Sequence, residues 1–273
     1  MNWRFKMWGQ NMFSFDFMRH AFVAGTFIAL ICGIIGVFVI ARSMSFLTHT
    51  LSEIGFAGAA FGVFAGWPAI NGMLLFTIVS SMIVGQMSVK AARRESAITA
   101  VSALFIGLGI LFLSLSNQNA SSATSILFGS VIGISQSEVW QIIGLSVVVL
   151  LVILFSYRSL KFDSFDSVGA RVNGVKSNLV SIVFLIVLAL SVSIAAQIVG
   201  SLLIFILLTL PAASAKYFVH SVFKMMVLSI GFALIGTWCG LYLGYLTNWP
   251  VSFFIASLEV IIYCIALLHA RRA

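Results

Sequence analysis

The chain has 273 residues, 61% of them hydrophobic and 8% charged, with a mean hydropathy of +1.15. A water-soluble domain carries about 25% charged residues, so this composition excludes a globular enzyme domain. It also excludes a nucleic-acid-binding face, despite the net charge of +8. What remains is an all-α polytopic membrane bundle whose Lys and Arg gather in loops on the cytoplasmic side.

Residues 1–20 mix Trp3, Phe5 and Trp8 with Arg4, Lys6, Asp16 and Arg19. Aromatic and basic residues side by side favour the headgroup zone, so this stretch reads as an interfacial tail in contact with membrane lipid and not as a targeting signal. A helix needs about 20 apolar residues to cross the hydrocarbon. Nine stretches qualify as candidates: 21–40, 46–66, 71–89, 97–116, 138–156, 179–197, 199–215, 225–246 and 251–269; eight or nine crossings are expected. With the C-terminus placed in the cytoplasm, Arg42, Lys90, Arg93, Arg94, Arg158, Lys161, Arg171, Lys176, Lys216, Lys224, Arg271 and Arg272 fall inside, leaving outside only Arg4, Lys6 and Arg19 of the fifteen basic residues. Small residues along the spans, such as Gly25, Gly33, Gly36, Gly55, Gly58 and Gly62, predict close helix approach. Cys32, Cys239 and Cys264 lie far apart within apolar stretches and read as small hydrophobes.

The second stretch carries the chemistry. Between residues 43 and 89 the one formally charged side chain is Glu53, and His49 precedes it by one helical turn on the same face. A carboxylate in lipid costs about 2.5 kcal/mol or more, so it faces a cavity, a partner or an ion. Carboxylate plus imidazole suits a divalent transition metal, with Thr48, Thr50 and Ser52 as nearby polar groups. A purely structural contact of Glu53 with His49, Arg42 or Ser52 is equally open on spacing alone. Glu259, in the last span, faces the bundle interior or a dimer seam. Glu138 suits a helix N-terminus, while His20, His220 and His269 sit near span ends. Asn248-Trp249-Pro250 reads as a turn with an interfacial aromatic.

Between the fifth and sixth spans lies the longest polar interruption, 157–178. It reads either as a solvated loop or as a docking surface built on a short helix over 166–172, capped by Asp163 or Ser164 and stopped near Gly174. The chain has no GxxxxGK[ST], HExxH or GxSxG motif, so it is not expected to hydrolyse ATP or to act as a protease or esterase.

Taken in order, the segments 24–42 (AGTFIALICGIIGVFVIAR), 44–58 (MSFLTHTLSEIGFAG), 95–115 (ESAITAVSALFIGLGILFLSL), 127–134 (LFGSVIGI), 162–175 (FDSFDSVGARVNGV) and 197–216 (QIVGSLLIFILLTLPAASAK) resemble the permease subunits of metal-uptake ABC transporters, the group serving zinc, manganese or iron. The last segment carries QxVGxLLxxxLLxxPAAxA, the most specific of these matches. The resemblance implies a single permease domain over 1–273 with the type II, cobalamin-importer-like fold. It further implies a homodimer in the cytoplasmic membrane of a bacterium, a cytoplasmic ATPase dimer and an external metal-binding protein, with a transported divalent metal and no permanent cofactor. Within 157–178 it assigns ATPase coupling to Phe165, Asp166, Val168, Gly169, Ala170, Arg171 and Gly174. The family's second span reads MSLxGDAxSHAxLPG; here His49 takes the acid position, Glu53 the histidine position and Ala57 the proline position, so the two donor types are retained in exchanged order. An ion-coupled secondary transporter using Glu53 and Glu259, or a non-transporting membrane scaffold, are the alternatives.

Overall fold

The structure, a computed structural model, describes residues 12–86, 91–116, 125–129, 134–201 and 203–271. Most of the tail with Arg4 and Lys6 therefore lies outside the described residues, as do Lys90, the side chains of Arg93 and Arg94, and part of the 127–134 motif. The principal helices are α1 (Asp16–Ala41), α2 (Ser45–Phe64), α3 (Ala69–Gln86), α4 (Ala91–Leu115), α5 (Gln136–Phe165), α6 (Ser167–Val172), α7 (Ser177–Val199), α8 (Ile204–Lys216), α9 (Val222–Thr247) and α10 (Val251–Ala270), with a short 3-10 turn over Met12–Ser14. No strand occurs among the described residues.

Every one of the nine expected spans coincides with a helix, but not every helix is a full crossing. Among the described residues, five are long and apolar enough to span a bilayer, those beginning at Asp16, Gln136, Ser177, Val222 and Val251; shorter apolar runs cover Ala69–Ile83, Thr99–Leu115 and Ile204–Lys216. Helix α2 falls in neither group, since its polar and small residues lower its hydropathy. The expected span 199–215 is corrected most. Its helix starts only at Ile204 and has 13 residues, about 20 Å at 1.5 Å per residue, short of the ~30 Å core.

The glycine positions show how the helices cross. A Cβ on Gly25 would meet Thr237 and Leu241, while one on Gly33 would meet Ile230, so α9 runs antiparallel to α1. Gly36 lies against the Leu208 carbonyl and the Ala212 methyl. Ile198, near the end of α7, is level with Gly25, whereas Leu208 is level with Gly36. Helix α7 therefore stops inside the bundle and α8 turns back toward the end from which α7 came. Gly200, at φ 86, makes the reversal, and a Cβ there would lie 2.4 Å from the Gly129 nitrogen and the Leu127 carbonyl. The 197–216 motif thus has mechanical reasons for its residues: a glycine for the break, and small residues after Pro211 so that α1 can approach.

At the α1–α2 corner Met44 N donates to Val39 O (2.9 Å) and Ser43 N to Ile40 O (3.1 Å), with Ser43 at φ 53. This is a Schellman closure, and it makes the corner tight. Arg42, the residue between, is fastened by its side chain. Its Nη2 donates to Asp163 Oδ2 (2.7 Å), its Nε to Ser164 Oγ (2.7 Å) and its Nη1 to Ser181 Oγ (3.3 Å). The guanidinium also lies 4.9 Å from the Phe184 ring centroid. Burial pulls the Arg42 pKa below its ordinary value, and the Asp163 carboxylate acts in the opposite sense.

These contacts place Arg42, Arg158, Lys161, Arg171, Lys176, Lys216, Lys224 and Arg271 at one end of the bundle, the end where α1, α5, α8 and α10 finish and α7 and α9 begin. Asp16 and Arg19 pair at the opposite end, where Phe15 meets Tyr245. Arg271 and Asp16 are thus at opposite ends, as an odd number of passes requires.

Candidate functional site

Helix α2 sets the frame of the site. Ala57, standing where the resembled motif has proline, retains its N–H and the helix continues to Phe64. His49 Nδ1 lies 3.6 Å from Glu53 Oε2, with side chains 41% and 18% exposed. Glu53 is about 12 Å along α2 from its start. The Ser102 hydroxyl, from α4, donates to the same Oε2. On the other flank, Phe205 at the head of α8 meets the His49 ring edge-on at 4.7 Å between centroids. Carboxylate and imidazole are therefore positioned by three helices while remaining open on one side.

The other polar groups of α2 do not join them. Thr48 and Thr50 are buried and return their hydroxyls to the Met44 and Phe46 carbonyls. Ser52 is buried with no hydrogen-bond partner. Arg42 is committed to Asp163 and so is not the partner of Glu53. No group of three or more His, Cys, Asp or Glu suited to a metal ion occurs among the described residues. One copy of the chain thus presents two donors, a weak and incomplete shell that accepts a divalent ion only with added ligands. Sequence reasoning missed Ser102 and Phe205; neither carries a motif, and both reach the pair only through packing.

Glu259 is fully buried and neither of its oxygens has a hydrogen-bond partner. It packs on Gly236, where a Cβ would fall 2.2 Å from Oε1, which places it in the interior and away from any seam. Glu138 completes a capping box with Ser135. His20 Nδ1 approaches Ile134 O at 3.3 Å, and His269 stacks on Phe218. Asn248 adopts a left-handed turn and Trp249 is exposed. Cys32 is buried, whereas Cys239 and Cys264 are exposed.

The polar interruption is more ordered than a loop. Helix α5 extends to Phe165, and its last turn contains Asp163 and Ser164. The cap of α6 is consequently Asp166, whose Oδ1 accepts from Gly169 N (2.9 Å), and not Asp163 or Ser164, which hold Arg42. A Cβ on Gly169 would sit 2.2 Å from the Asp166 carboxylate, so the cap packs closely on this glycine. Gly174, at φ 75, closes the element, with Val175 N donating to Ala170 O (3.0 Å). Ala170 is buried, Arg171 is exposed, and Phe165, Val168 and Val172 present apolar surface outward at 47%, 74% and 82% exposure.

The chain is thus a polytopic helical bundle with an interrupted helix pair, a helical projection at its basic end and a His–carboxylate pair on its second helix. The chain matches the ABC 3 transport family over residues 14–270. It is 31% identical over 265 residues to the manganese import system permease protein ScaB of Streptococcus pneumoniae, covering 94% of this chain and 92% of the relative. It is 28% identical to ScaB of Streptococcus parasanguinis, again over 94% of this chain and 92% of the relative. The solved structure of PsaBC from Streptococcus pneumoniae in complex with Fab superposes with a TM-score of 0.84 at 26% identity, covering 93% of this chain and 91% of that one. The chain belongs to the ABC 3 transport family. It is a multi-pass permease subunit of an ABC transporter with the type II importer fold.

Proposed function

We propose that this permease imports manganese across a bacterial cytoplasmic membrane as a homodimer, with the basic end and the C-terminus in the cytoplasm. A cytoplasmic ATPase dimer powers it and an external metal-binding protein delivers the ion. The observation that carries this reading is the His49–Glu53 pair: two donors on one face of α2, braced from α4 and α8, open on one side. A second copy doubles the set to two imidazoles and two carboxylates. Oxygen and nitrogen donors without thiolate suit Mn2+, although zinc and iron accept the same types. The names of the relatives favour manganese.

The mechanism follows from the weakness of the station. An ion handed in from outside exchanges part of its water shell for His49 and Glu53, pauses, and leaves when the ATPase shifts the bundle. A tighter, fully protein-made cage would retain it. Exposed Val168 and Val172 beside Arg171 give α6 the chemistry of a docking face, and the coupling role of Phe165, Asp166, Val168, Gly169, Ala170, Arg171 and Gly174 rests on that exposed, well-capped helix. Membership of an ABC family weighs against an ion-coupled carrier or a scaffold.

Whole-cell elemental analysis tests this proposal, in cells expressing the chain with its ATPase and binding protein. Manganese is expected to rise with wild type and to fall at least tenfold toward background with His49→Ala and with Glu53→Gln at equal membrane levels. Enrichment of zinc or iron alone would reassign the substrate. Full uptake by both variants would return the pair to a packing role.

A further inference from the structure

The Arg42 cluster lies between the two parts of the molecule that an ABC permease must connect. Helix α6 is suspended from two stems, the end of α5 and the start of α7. Arg42 grips both stems, binding Asp163 and Ser164 on α5 and Ser181 on α7 while lying against Phe184. The Arg42 and Asp163 side chains are 8% and 7% exposed. The same residue caps α1, and through the Schellman corner at Ser43 and Met44 it is rigidly joined to the first turn of α2, which carries His49 one turn further on.

A buried ion pair is a poor device for stability alone, because apolar residues of equal volume do as well or better once desolvation is counted. Its value is directional. A bidentate-capable guanidinium with several partners fixes relative orientation in a way that an apolar contact does not. We infer that Arg42 and Asp163 form a coupling latch, positioning residues that convert movement of α6 into movement of the α1–α2 corner and so of the metal station. The inference rests on α6 being the ATPase-docking element.

Purified permease is reconstituted into proteoliposomes with its ATPase and binding protein, and Mn2+ entry and ATP hydrolysis are measured together. The informative variant is the double replacement Arg42→Met with Asp163→Leu, which removes the pair without stranding a buried charge. It is expected to assemble with the ATPase and to hydrolyse ATP within about threefold of wild type, while Mn2+ imported per ATP falls at least tenfold. Arg42→Lys, which keeps the charge but loses the fork, is expected to lie between. An unchanged ratio of Mn2+ to ATP would overturn the latch, and so would failure of the double variant to assemble, which would assign the pair to folding. A parallel variant, Val168→Asp with Val172→Asp, checks the premise: it is expected to lose the ATPase on co-purification. If the ATPase stays bound and coupled there, α6 is not the docking element and the inference falls with that reading, whatever the latch variants do.

Discussion

His49 and Glu53 work as a pair because one helical turn separates them and puts both side chains on one face of α2. The exchanged double variant His49→Asp with Glu53→His presents the same two donors on the same face. It is expected to keep Mn2+ uptake within about fivefold of wild type, whereas either single replacement by alanine abolishes it; measured initial rates of uptake distinguish the cases. Glycine 58 illustrates the opposite situation, where a single atom matters. A Cβ there would lie 2.4 Å from the Gly72 carbonyl, at the crossing of α2 and α3. Gly58→Ala is expected to cost about 1–3 kcal/mol by overpacking, read as a lower thermal midpoint in detergent. The pair itself was legible in the sequence, since periodicity alone puts i and i+4 together. Its supports were not: Ser102 lies 49 residues away on another helix, and nothing local marks it.

At the scale of elements, the break between α7 and α8 separates what hydropathy can tell from what it cannot. Both sides of Gly200 are apolar, so hydropathy alone accepts 199–215 as a span. The chain instead reverses within the bundle, because Gly200 takes a positive-φ, extended conformation (φ 86, ψ 153) against the Gly129 and Leu127 backbone. Gly200→Ala is therefore expected to be poorly tolerated, with about 1–3 kcal/mol from backbone strain in addition to the steric overlap, and to show as loss of membrane accumulation. Glu259 is a contrasting case on α10. It makes no hydrogen bond, so the uncharged and nearly isosteric Glu259→Gln is expected to preserve assembly and to change stability by less than about 1.5 kcal/mol, whereas Glu259→Lys forces a longer side chain and a positive charge against Gly236 and is expected to prevent folding. Size-exclusion profiles of the detergent-solubilised variants check both. Helix α6 was legible as a short helix stopped near Gly174, but its cap was misassigned, because Asp163, Ser164 and Asp166 are all good capping residues and only the course of α5 shows that the first two are already inside a helix.

For the whole molecule, the charge distribution makes the orientation testable. The basic end holds Arg271, and the opposite end holds the exposed Trp249. In a background lacking the native cysteines, Trp249→Cys is expected to react with a membrane-impermeant maleimide in intact spheroplasts, while Arg271→Cys reacts only after permeabilisation; the reverse pattern would invert the proposed topology. The N-terminal side follows from the same experiment, since Asp16 and Arg271 lie at opposite ends of an odd number of passes.

Composition and hydropathy were enough to establish a polytopic helical membrane protein, and the distribution of Lys and Arg sorted its loops to two sides, because the bilayer acts on each segment independently of its neighbours. The ordered motifs were enough to indicate the family. Tertiary packing decided the rest. It decided where α7 stops, that α4 and α8 brace the His49–Glu53 pair, and that Arg42 is spent on Asp163 rather than on Glu53. The physical reason is that apolarity and helical period are properties of a segment, whereas the partner of a buried polar group is chosen by whichever helices the close glycine contacts bring together.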